Sequence, residues 1–238
     1  MIDIHCHILP GLDDGAADMD EALLMARIAL HSGTGTVIAT PHFGGPGDPA
    51  SPDVILAAVE RLQQALKAWR LPLTVKPGME LLCTDRLEQI LDDGAYLTLA
   101  GSRYLLTEFY FDEPAEIINS YLRRITLRGL VPVIAHPERY KAVQNDVYLA
   151  QYWMQQGYGL QLNAGSLLGE LGYSARQTAR LLAHRGLAHV VASDGHSPDR
   201  RAPRLEQARD YLEERVCIAC AQDLLYDGPR MILENKEI

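Results

Sequence analysis

The sequence predicts an α/β fold: a TIM-like barrel of seven βα units that forms a single domain over residues 1–238. Short β-rich runs alternate with amphipathic helical segments in seven units of roughly 30 residues, which is typical of a parallel sheet. The runs are too apolar for half-exposed antiparallel strands. No linker-like stretch divides the chain, and no G-x-G-x-x-G follows the first run, which weakens the alternative of an open dinucleotide-binding sheet.

Seven runs rich in β-branched and apolar residues are the predicted strands. They cover residues 2–4, 36–39, 73–75, 104–107, 131–135, 159–162 and 189–192.

Helices are predicted between these runs from their caps and apolar periodicity. Asp18 and Glu21 form a capping signal before the first helix, which Gly33 ends. Ser51 is the expected N-cap of the second helix, with Pro52 at its first position. The remaining helices are expected at 86–91, 114–128, 146–156, 174–184 and 203–214, followed by short helices from residue 217 onwards.

The composition excludes several classes of protein. A formal charge of −9 without any Lys/Arg block argues against nucleic-acid binding, because the phosphate backbone requires a clustered positive face. No apolar run approaches the roughly 18 residues of a membrane span. The N-terminus carries no signal-peptide pattern, so we expect a cytoplasmic protein without a transmembrane segment.

Two local patterns have ordinary structural interpretations. Four cysteines are too few and too scattered for a secreted disulfide framework, and the close pair Cys217 and Cys220 is expected to pack in the core rather than bind zinc. The Gly- and Pro-rich stretch 44–51 is expected to be a surface loop.

Six of the seven predicted strands are followed by a side chain that could bind a metal, at the barrel rim where enzymes of this fold place their active sites. The two imidazoles of the H-x-H pair leave the same face of an extended segment. Nitrogen and oxygen ligands without thiolate suit manganese, iron or zinc. The candidate ligands are His5, His7, Asp14, His42, Glu80, Glu108, His136, Asp194 and His196.

Each candidate alone has a plainer explanation. A single histidine is more often a hydrogen-bonded polar residue, and a single glutamate is more often solvated or salt-bridged. The pattern favours a metal site, because five of the eight histidines fall at strand ends. Asn163, after the sixth strand, could equally line the pocket or cap a loop.

Five segments carry a resemblance to a known family. They contain His5-Cys6-His7 with Asp13-Asp14-Gly15, Thr40-Pro41-His42, Gly78-Met79-Glu80, His136-Pro137-Glu138-Arg139 and Ser193-Asp194-Gly195-His196. In this order they resemble the motifs of the PHP (polymerase and histidinol phosphatase) superfamily. They are most similar to those of the manganese-dependent protein-tyrosine phosphatases of bacterial capsule and exopolysaccharide gene clusters, along essentially the whole chain.

The resemblance implies a distorted TIM-like (β/α)7 barrel that holds three metals. His5, His7, Glu80 and Asp194 would bind the first metal; Glu80 would bridge to a second metal, also held by Glu108 and His136; and Asp14, His42 and His196 would bind the third. Arg139 and Arg201 match the family's phosphate-binding arginines. Ala202-Pro203 follows Arg201 where the family often has two prolines, and the loop 43–51 also departs from the family, which affects substrate fit.

The resemblance further implies the activity. We expect hydrolysis of phosphotyrosine by a metal-bound hydroxide, with Mn²⁺ as the metal (Fe or Zn being possible) and with a bacterial tyrosine kinase of polysaccharide synthesis as the partner. No Cys-x5-Arg loop is present for a phosphocysteine route. The alternatives are a PHP-type phosphatase of histidinol phosphate or a nucleotide, a metal-barrel deaminase or amidohydrolase, and a silent metal-binding module.

Overall fold

The computed structural model describes residues 1–45 and 51–238, and its strands are all parallel. The nine strands of these residues are β1 (Ile2–Cys6), β2 (Thr36–Ala39), β3 (His42–Phe43), β4 (Thr74–Pro77), β5 (Glu80–Leu82), β6 (Tyr104–Glu108), β7 (Val131–Ala135), β8 (Gly159–Asn163) and β9 (Val190–Ala192).

The nine strands form the seven staves of a distorted barrel, where a stave is one strand or two consecutive strands that follow the same path. One sheet has the order β1-β2-β4 and the other β3-β5-β6-β7-β8-β9. Since β3 continues the path of β2, and β5 that of β4, the two sheets share their second and third staves. A parallel bridge between Cys6 and Gly195 joins the first stave to the end of the last. The predicted (β/α)7 barrel is therefore confirmed.

The second and third staves are each interrupted just before a predicted metal ligand. Thr40 and Pro41 separate β2 from β3, and Gly78 and Met79 separate β4 from β5. A Cβ atom on Gly78 would lie 2.8 Å from a methyl carbon of Ile38, so glycine is needed for this close approach. The Glu80 N–H donates to the Pro41 carbonyl at 3.0 Å, and pairing then resumes with His42 beside Glu80.

The third predicted strand was therefore too short and ended too early. Where the run 73–75 was expected, the strand covers Thr74–Pro77 and pairing resumes at Glu80, so that Glu80 lies in a strand instead of following one. His5 and His42 likewise lie within strands β1 and β3. These differences arise because pairing with neighbouring staves, rather than the apolar run itself, decides where a strand stops.

The predicted helices are present with small changes at their ends. Asp18 caps the first helix by accepting from the Asp20 and Glu21 N–H groups. Ser51 caps the second by accepting from the Val54 N–H. The eleven α-helices of the described residues are α1 (Met19–His31), α2 (Pro52–Ala68), α3 (Leu87–Asp92), α4 (Ala115–Leu127), α5 (Lys141–Asn145), α6 (Tyr148–Gln155), α7 (Ala164–Leu168), α8 (Tyr173–His184), α9 (Glu206–Arg215), α10 (Ile218–Gln222) and α11 (Gly228–Leu233).

Three helix predictions need correction. Helices α5 and α7 were not expected, because segments of five residues are too short to show apolar periodicity. Helix α9 begins at Glu206 rather than at residue 203, because the Arg204 N–H donates to the Ala202 carbonyl in a non-helical turn. Within the described parts of the chain, no helix is long and apolar enough to cross a membrane. Most of the expected loop 44–51, residues 46–50, lies outside the described residues.

The barrel interior is filled by one apolar cluster that closes the end opposite the metal-ligand rim. Its members come from the inward positions of the strands, and Leu99 and Ile232 complete it. In β6 the inward positions are Tyr104 and Leu106, and the next position of the same parity is Glu108. The same alternation that fills the core therefore directs a carboxylate inward at the rim.

Cys217 and Cys220 are joined by a disulfide, so the expectation of simple core packing is wrong. Both residues are only half-buried, and their Cα atoms lie 5.1 Å apart, within the range that a disulfide requires. The Cys217 sulfur also accepts from the Cys220 N–H at the start of α10. The start of this short helix brings the two sulfurs together, which spacing alone did not indicate.

His189 makes the stability of the fold depend on pH. Its ring is largely buried, and Nδ1 accepts a hydrogen bond from the Leu160 N–H at 3.1 Å. Burial lowers the pKa of His189 below its usual value. In the unfolded chain the ring protonates near pH 6.5, whereas the folded protein resists that proton, so stability is lost as the pH falls below that value.

We therefore expect metal-free wild type to lose stability relative to His189→Gln between pH 7.5 and pH 5. Urea unfolding of both proteins at each pH measures the difference. The site histidines titrate in both proteins and cancel in the comparison. His184→Gln, an exposed change in α8, is the control. An equal stability difference at both pH values would contradict the prediction.

Candidate metal centre

The structure brings all nine predicted ligands to one end of the barrel. They come from six of the seven staves and the loops that follow them. His5, His42 and Glu80 lie within strands, Glu108 ends β6, and His7, Asp14, His136, Asp194 and His196 lie in the segments after strands.

Glu80 lies at the centre of the cluster and is almost completely buried, with 1% exposure. Its Oε2 atom is 3.2 Å from His5 Nε2 and 3.3 Å from His7 Nε2. The same oxygen is 3.0 Å from His42 Nδ1. Its other oxygen, Oε1, is 3.1 Å from His136 Nε2. One carboxylate therefore contacts four imidazoles from three different staves.

This arrangement fits metal binding better than hydrogen bonding. Although three ring nitrogens lie within 3.3 Å of Glu80 Oε2, that buried oxygen has no hydrogen bond of acceptable geometry to any described residue. Buried polar atoms are normally satisfied, so one that faces several nitrogens without a hydrogen bond indicates a site for a cation. The donor set of imidazoles and carboxylates, without a thiolate, suits a divalent transition metal.

A second group of ligands lies on the open side of the cluster. His7, Asp14, His42 and His196 each offer a ligand atom within 4.8 Å of the others. Asp14 Oδ1 is 3.4 Å from both His42 Nε2 and His196 Nε2. The Asp14 side chain is 67% exposed, so this group faces solvent. His7 belongs to this group and to the group around Glu80, whereas the resemblance had implied only a role at the first metal.

Glu108 and Asp194 complete the cluster on two sides. Glu108 Oε1 is 3.6 Å from His136 Nε2, and Glu108 Oε2 is 3.7 Å from His42 Nδ1. Asp194 Oδ1 is 3.4 Å from His5 Nε2. The resemblance assigns Glu108 to the second metal and Asp194 to the first, and this assignment stays a prediction.

Two orienting residues were not singled out by the sequence. Asp13 accepts from the His7 ring at 2.7 Å and from the backbone N–H groups of His42 and Gly15. Gln161 Oε1 bonds His5 Nδ1 at 2.9 Å. Such partners determine which ring nitrogen faces a metal. For Gln161 the sequence held a signal, since it is a polar residue within an otherwise apolar strand.

Two of the ligands have unusual backbone conformations. His136 has φ of 35° and Asp194 has φ of 52°, in the left-handed region that non-glycine residues rarely adopt. His136 directly follows β7 and Asp194 lies two residues after β9, where the Asp194 N–H donates to the His5 carbonyl at 2.9 Å. Strained backbone of this kind is concentrated at functional sites, where the surrounding structure enforces it.

The charges of the cluster shift its pKa values strongly. Burial and the neighbouring Glu80 carboxylate raise the pKa of Glu108 to about 8. Burial opposes protonation of His5, but Glu80 and Asp194 outweigh it and raise the pKa to about 9. Burial likewise opposes protonation of His42, but the adjacent carboxylates raise its pKa to about 10. Protons on His5 and His42 therefore balance part of the carboxylate charge in the metal-free protein, and metal binding would displace them.

Arg139 and Arg201 both reach the side of Asp194 that faces away from the histidines. Arg201 forms an ion pair with Asp194 Oδ2, and Arg139 Nη1 lies 3.6 Å from the same oxygen. Asn163 donates to this oxygen at 2.6 Å, and its own side-chain oxygen caps α7 through the Gly165 N–H. The cap interpretation of Asn163 is therefore confirmed, whereas Asn163 contacts the site only through Asp194 and does not line its cavity.

The site opens to solvent through a cavity of about 190 Å³. Seven of the nine candidate ligands line it together with both arginines and Phe111, whereas His5 and His7 are fully buried. The predicted arginines thus face the same cavity as the predicted metal ligands.

Barrel and site together define a metal-binding hydrolase-type α/β barrel, and comparison with known proteins gives the family. Residues 1–234 match the family of capsular polysaccharide synthesis proteins CpsB/CapC. The chain belongs to this family, and the PHP-type resemblance is confirmed.

Characterised relatives extend over the whole chain. Tyrosine-protein phosphatase YwqE of Bacillus subtilis is 35% identical over 100% of this chain and 91% of its own length. Tyrosine-protein phosphatase CpsB of Streptococcus pneumoniae is 31% identical over 100% of both chains.

Solved structures agree with this assignment. A crystal structure from a study of YwqE and CpsB, described there as unique metal-dependent tyrosine phosphatases, matches with a TM-score of 0.93 and 34% identity, covering 100% of this chain and 96% of that one. A mutant organophosphorus hydrolase matches with a TM-score of 0.63 at 12% identity over 98% of this chain and 92% of its own, which shows the barrel fold alone.

We expect Asp13→Asn to weaken metal binding at His7. Asparagine can still accept from the backbone N–H groups, but it removes the negative charge that orients the ring. Losing such a partner typically costs about 10–100-fold in metal affinity. Calorimetric titration of metal-free protein with Mn²⁺ measures the change, with Asp20→Asn, an exposed position in α1, as the control. Equal affinity in both variants would exclude the orienting role.

Proposed function

We propose that this protein is a metal-dependent protein-tyrosine phosphatase whose single domain spans residues 1–238. One observation carries the proposal: Asp194 turns one oxygen towards the histidine cluster and the other towards two arginines. A ligand that binds between the metal cluster and the arginines must present oxygen atoms both to the metal cations and to the two guanidinium groups. A phosphate monoester does this.

The nine candidate ligands would hold the metals, with Glu80 shared between two of them. Divalent metals, when bound, would lower the pKa of a coordinated water and offset the negative charge of the phosphoryl group. A net charge of −9 does not prevent phosphate binding there, because bound cations reverse the local field. We propose Mn²⁺ as the native metal, with iron or zinc as the alternatives that the ligand set also suits.

The arginines would bind and orient the substrate. Guanidinium groups donate paired hydrogen bonds to phosphoryl oxygens. In this protein both arginines lie near the Asp194 carboxylate, so a phosphate would compete with this carboxylate for the guanidinium groups. Phosphate binding and the orientation of Asp194 are therefore expected to be coupled.

The cysteines do not support an alternative route through a phosphocysteine. Cys6 and Cys83 are fully buried, and burial raises the pKa of each thiol. A nucleophilic cysteine requires the opposite, an exposed thiol of lowered pKa. For phosphotyrosine the leaving group is a phenolate, whose pKa of about 10 reduces the need for a general acid.

The shape of the cavity favours a protein substrate over a small metabolite. Asp14 and His42 are partly exposed at the mouth, and Phe111 is 40% exposed. An open cavity of this kind admits a side chain that projects from a peptide. We propose that the substrate is a phosphotyrosine protein, in particular a bacterial tyrosine kinase of polysaccharide synthesis. The cytoplasmic location stays a prediction.

The first test is hydrolysis of a phosphotyrosine peptide beside histidinol phosphate, by protein stripped with chelator and reloaded with Mn²⁺. We expect manganese to restore turnover of the peptide, with little hydrolysis of histidinol phosphate. The reverse preference would keep the barrel and the metal centre but move the protein into small-molecule metabolism. Reloading with Fe²⁺ or Zn²⁺ in parallel compares the metals.

We expect His136→Ala to reduce both the metal content and the turnover of the peptide. His136 contacts Glu80 and Glu108, so its loss removes a ligand from the proposed second metal. A decrease of about 100-fold or more in kcat is expected, since loss of a mere supporting partner already costs about 10–100-fold. Metal analysis and steady-state kinetics are compared with those of His184→Ala. Near-normal values of both would exclude His136 as a ligand.

We expect Arg139→Ala to weaken phosphate binding while leaving the metal content intact. A hydrogen bond to a charged group contributes about 1.5–3 kcal/mol, so inhibition by inorganic phosphate should weaken by about 10- to 100-fold. Arg123→Ala, an exposed change in α4, is the matched control. Loss of metal in Arg139→Ala would instead indicate that this arginine supports the cluster.

A further inference from the structure

Phe111 differs chemically from the other residues that line the cavity. The other lining residues of the described chain, metal ligands and arginines, are all charged or ionisable, so Phe111 contributes the one apolar side chain at the mouth. Phe111 is 40% exposed, even though burying a phenyl ring away from water would be favourable. A free aromatic surface beside a phosphate site indicates a place for an apolar part of the ligand.

The loop after β6 holds Phe111 firmly in this position. Phe109, two residues earlier, is buried, and its N–H donates to the Tyr140 hydroxyl. The Phe111 carbonyl accepts from the Lys141 N–H at 2.8 Å. The ring also lies edge-on to His136, with 6.0 Å between ring centroids. The exposed ring is thus supported by backbone and side-chain contacts on its inner side.

Arg139 connects the Phe111 ring to the proposed phosphate position. The guanidinium carbon of Arg139 lies 4.2 Å from the Phe111 ring centroid, in cation–π contact. In an aryl phosphate a single ester oxygen separates the phosphorus from the ring. A phosphate bound by Arg139 would therefore carry its aryl ring past the exposed part of Phe111, whereas an alkyl phosphate offers no ring there.

We propose that Phe111 is a specificity-determining residue that packs against the aromatic ring of an aryl phosphate and thereby favours phosphotyrosine over alkyl phosphates. This inference rests on the proposed phosphatase function and names the chemical feature of the substrate that the site selects. Stacked or edge-on aromatic pairs gain affinity beyond simple burial.

A purely structural role for Phe111 has a different consequence. If the ring only held Arg139 in place, its removal would weaken every phosphate ligand equally, since all of them use the same guanidinium. Direct contact with the substrate affects only ligands that carry an aromatic ring. The two roles are therefore separated by comparing ligands that differ in this ring alone.

The experiment measures the binding of phenylphosphonate, methylphosphonate and inorganic phosphate to manganese-loaded protein by calorimetry. These ligands are not hydrolysed, so the measurement does not depend on turnover. The proteins are wild type, Phe111→Ala and the conservative Phe111→Tyr. Tyr110→Ala is the matched control, because Tyr110 is 49% exposed in the same loop but does not line the cavity. Metal content is measured for each variant.

We expect Phe111→Ala to weaken phenylphosphonate binding about tenfold, which corresponds to about 1.4 kcal/mol. Binding of methylphosphonate and phosphate should change less than about twofold, and Phe111→Tyr should restore phenylphosphonate affinity. With the phosphotyrosine peptide, KM should rise in Phe111→Ala while kcat changes little.

Equal weakening of all three ligands would overturn the proposal and assign Phe111 to positioning Arg139. Unchanged binding of all three would overturn it as well. Failure of the proposed phosphatase function is distinguishable, because in that case wild type itself would not hydrolyse the phosphotyrosine peptide, whatever the variants bind.

Discussion

The rest of the structure depends on the burial of one carboxylate, Glu80, among four imidazoles from three staves. A buried carboxylate is strongly unfavourable unless positive charge compensates it. In the metal-free protein, protonated His5 and His42 supply that charge, as their raised pKa values indicate. Metal ions would supply it more effectively, because Glu80 Oε2 lacks a hydrogen bond and faces several nitrogens at once. The centre is therefore built for cations, and its stability is expected to depend on them.

The irregularities of the barrel follow from this requirement. Side chains of a regular strand alternate between the two faces of the sheet. This alternation limits the positions from which neighbouring staves can direct His42 and Glu80 towards the His5–His7 pair. The interruptions at Pro41 and Gly78 change the path of the second and third staves, and pairing resumes with His42 opposite Glu80. The left-handed backbone at His136 and Asp194 redirects two further ligands. Departures from ideal geometry thus occur where ligands must converge.

Asp194 joins the metal cluster to the part of the site that would recognise substrate. Its two oxygens serve different neighbours, with His5 on one side and Arg139 and Arg201 on the other. Asn163 holds this carboxylate from beneath the cavity. Beyond Arg139, the exposed ring of Phe111 extends the site towards the solvent. From the buried centre to the mouth, the lining therefore changes from metal ligands to phosphate-binding groups and finally to an aromatic surface.

The sequence by itself determined the barrel class and the ligand candidates, because hydrophobic periodicity is local and His, Asp and Glu recur at strand ends. It also indicated the caps at Asp18 and Ser51, which depend on a few neighbouring residues. Only the tertiary structure decided the breaks in the second and third staves, the sharing of His7 between two ligand groups and the support from Asp13 and Gln161. It also decided the Cys217–Cys220 bond and the place of Phe111 beside Arg139. The physical reason is that these features depend on distances between residues far apart in the chain, or on the exact backbone path, and neither is encoded in local pattern.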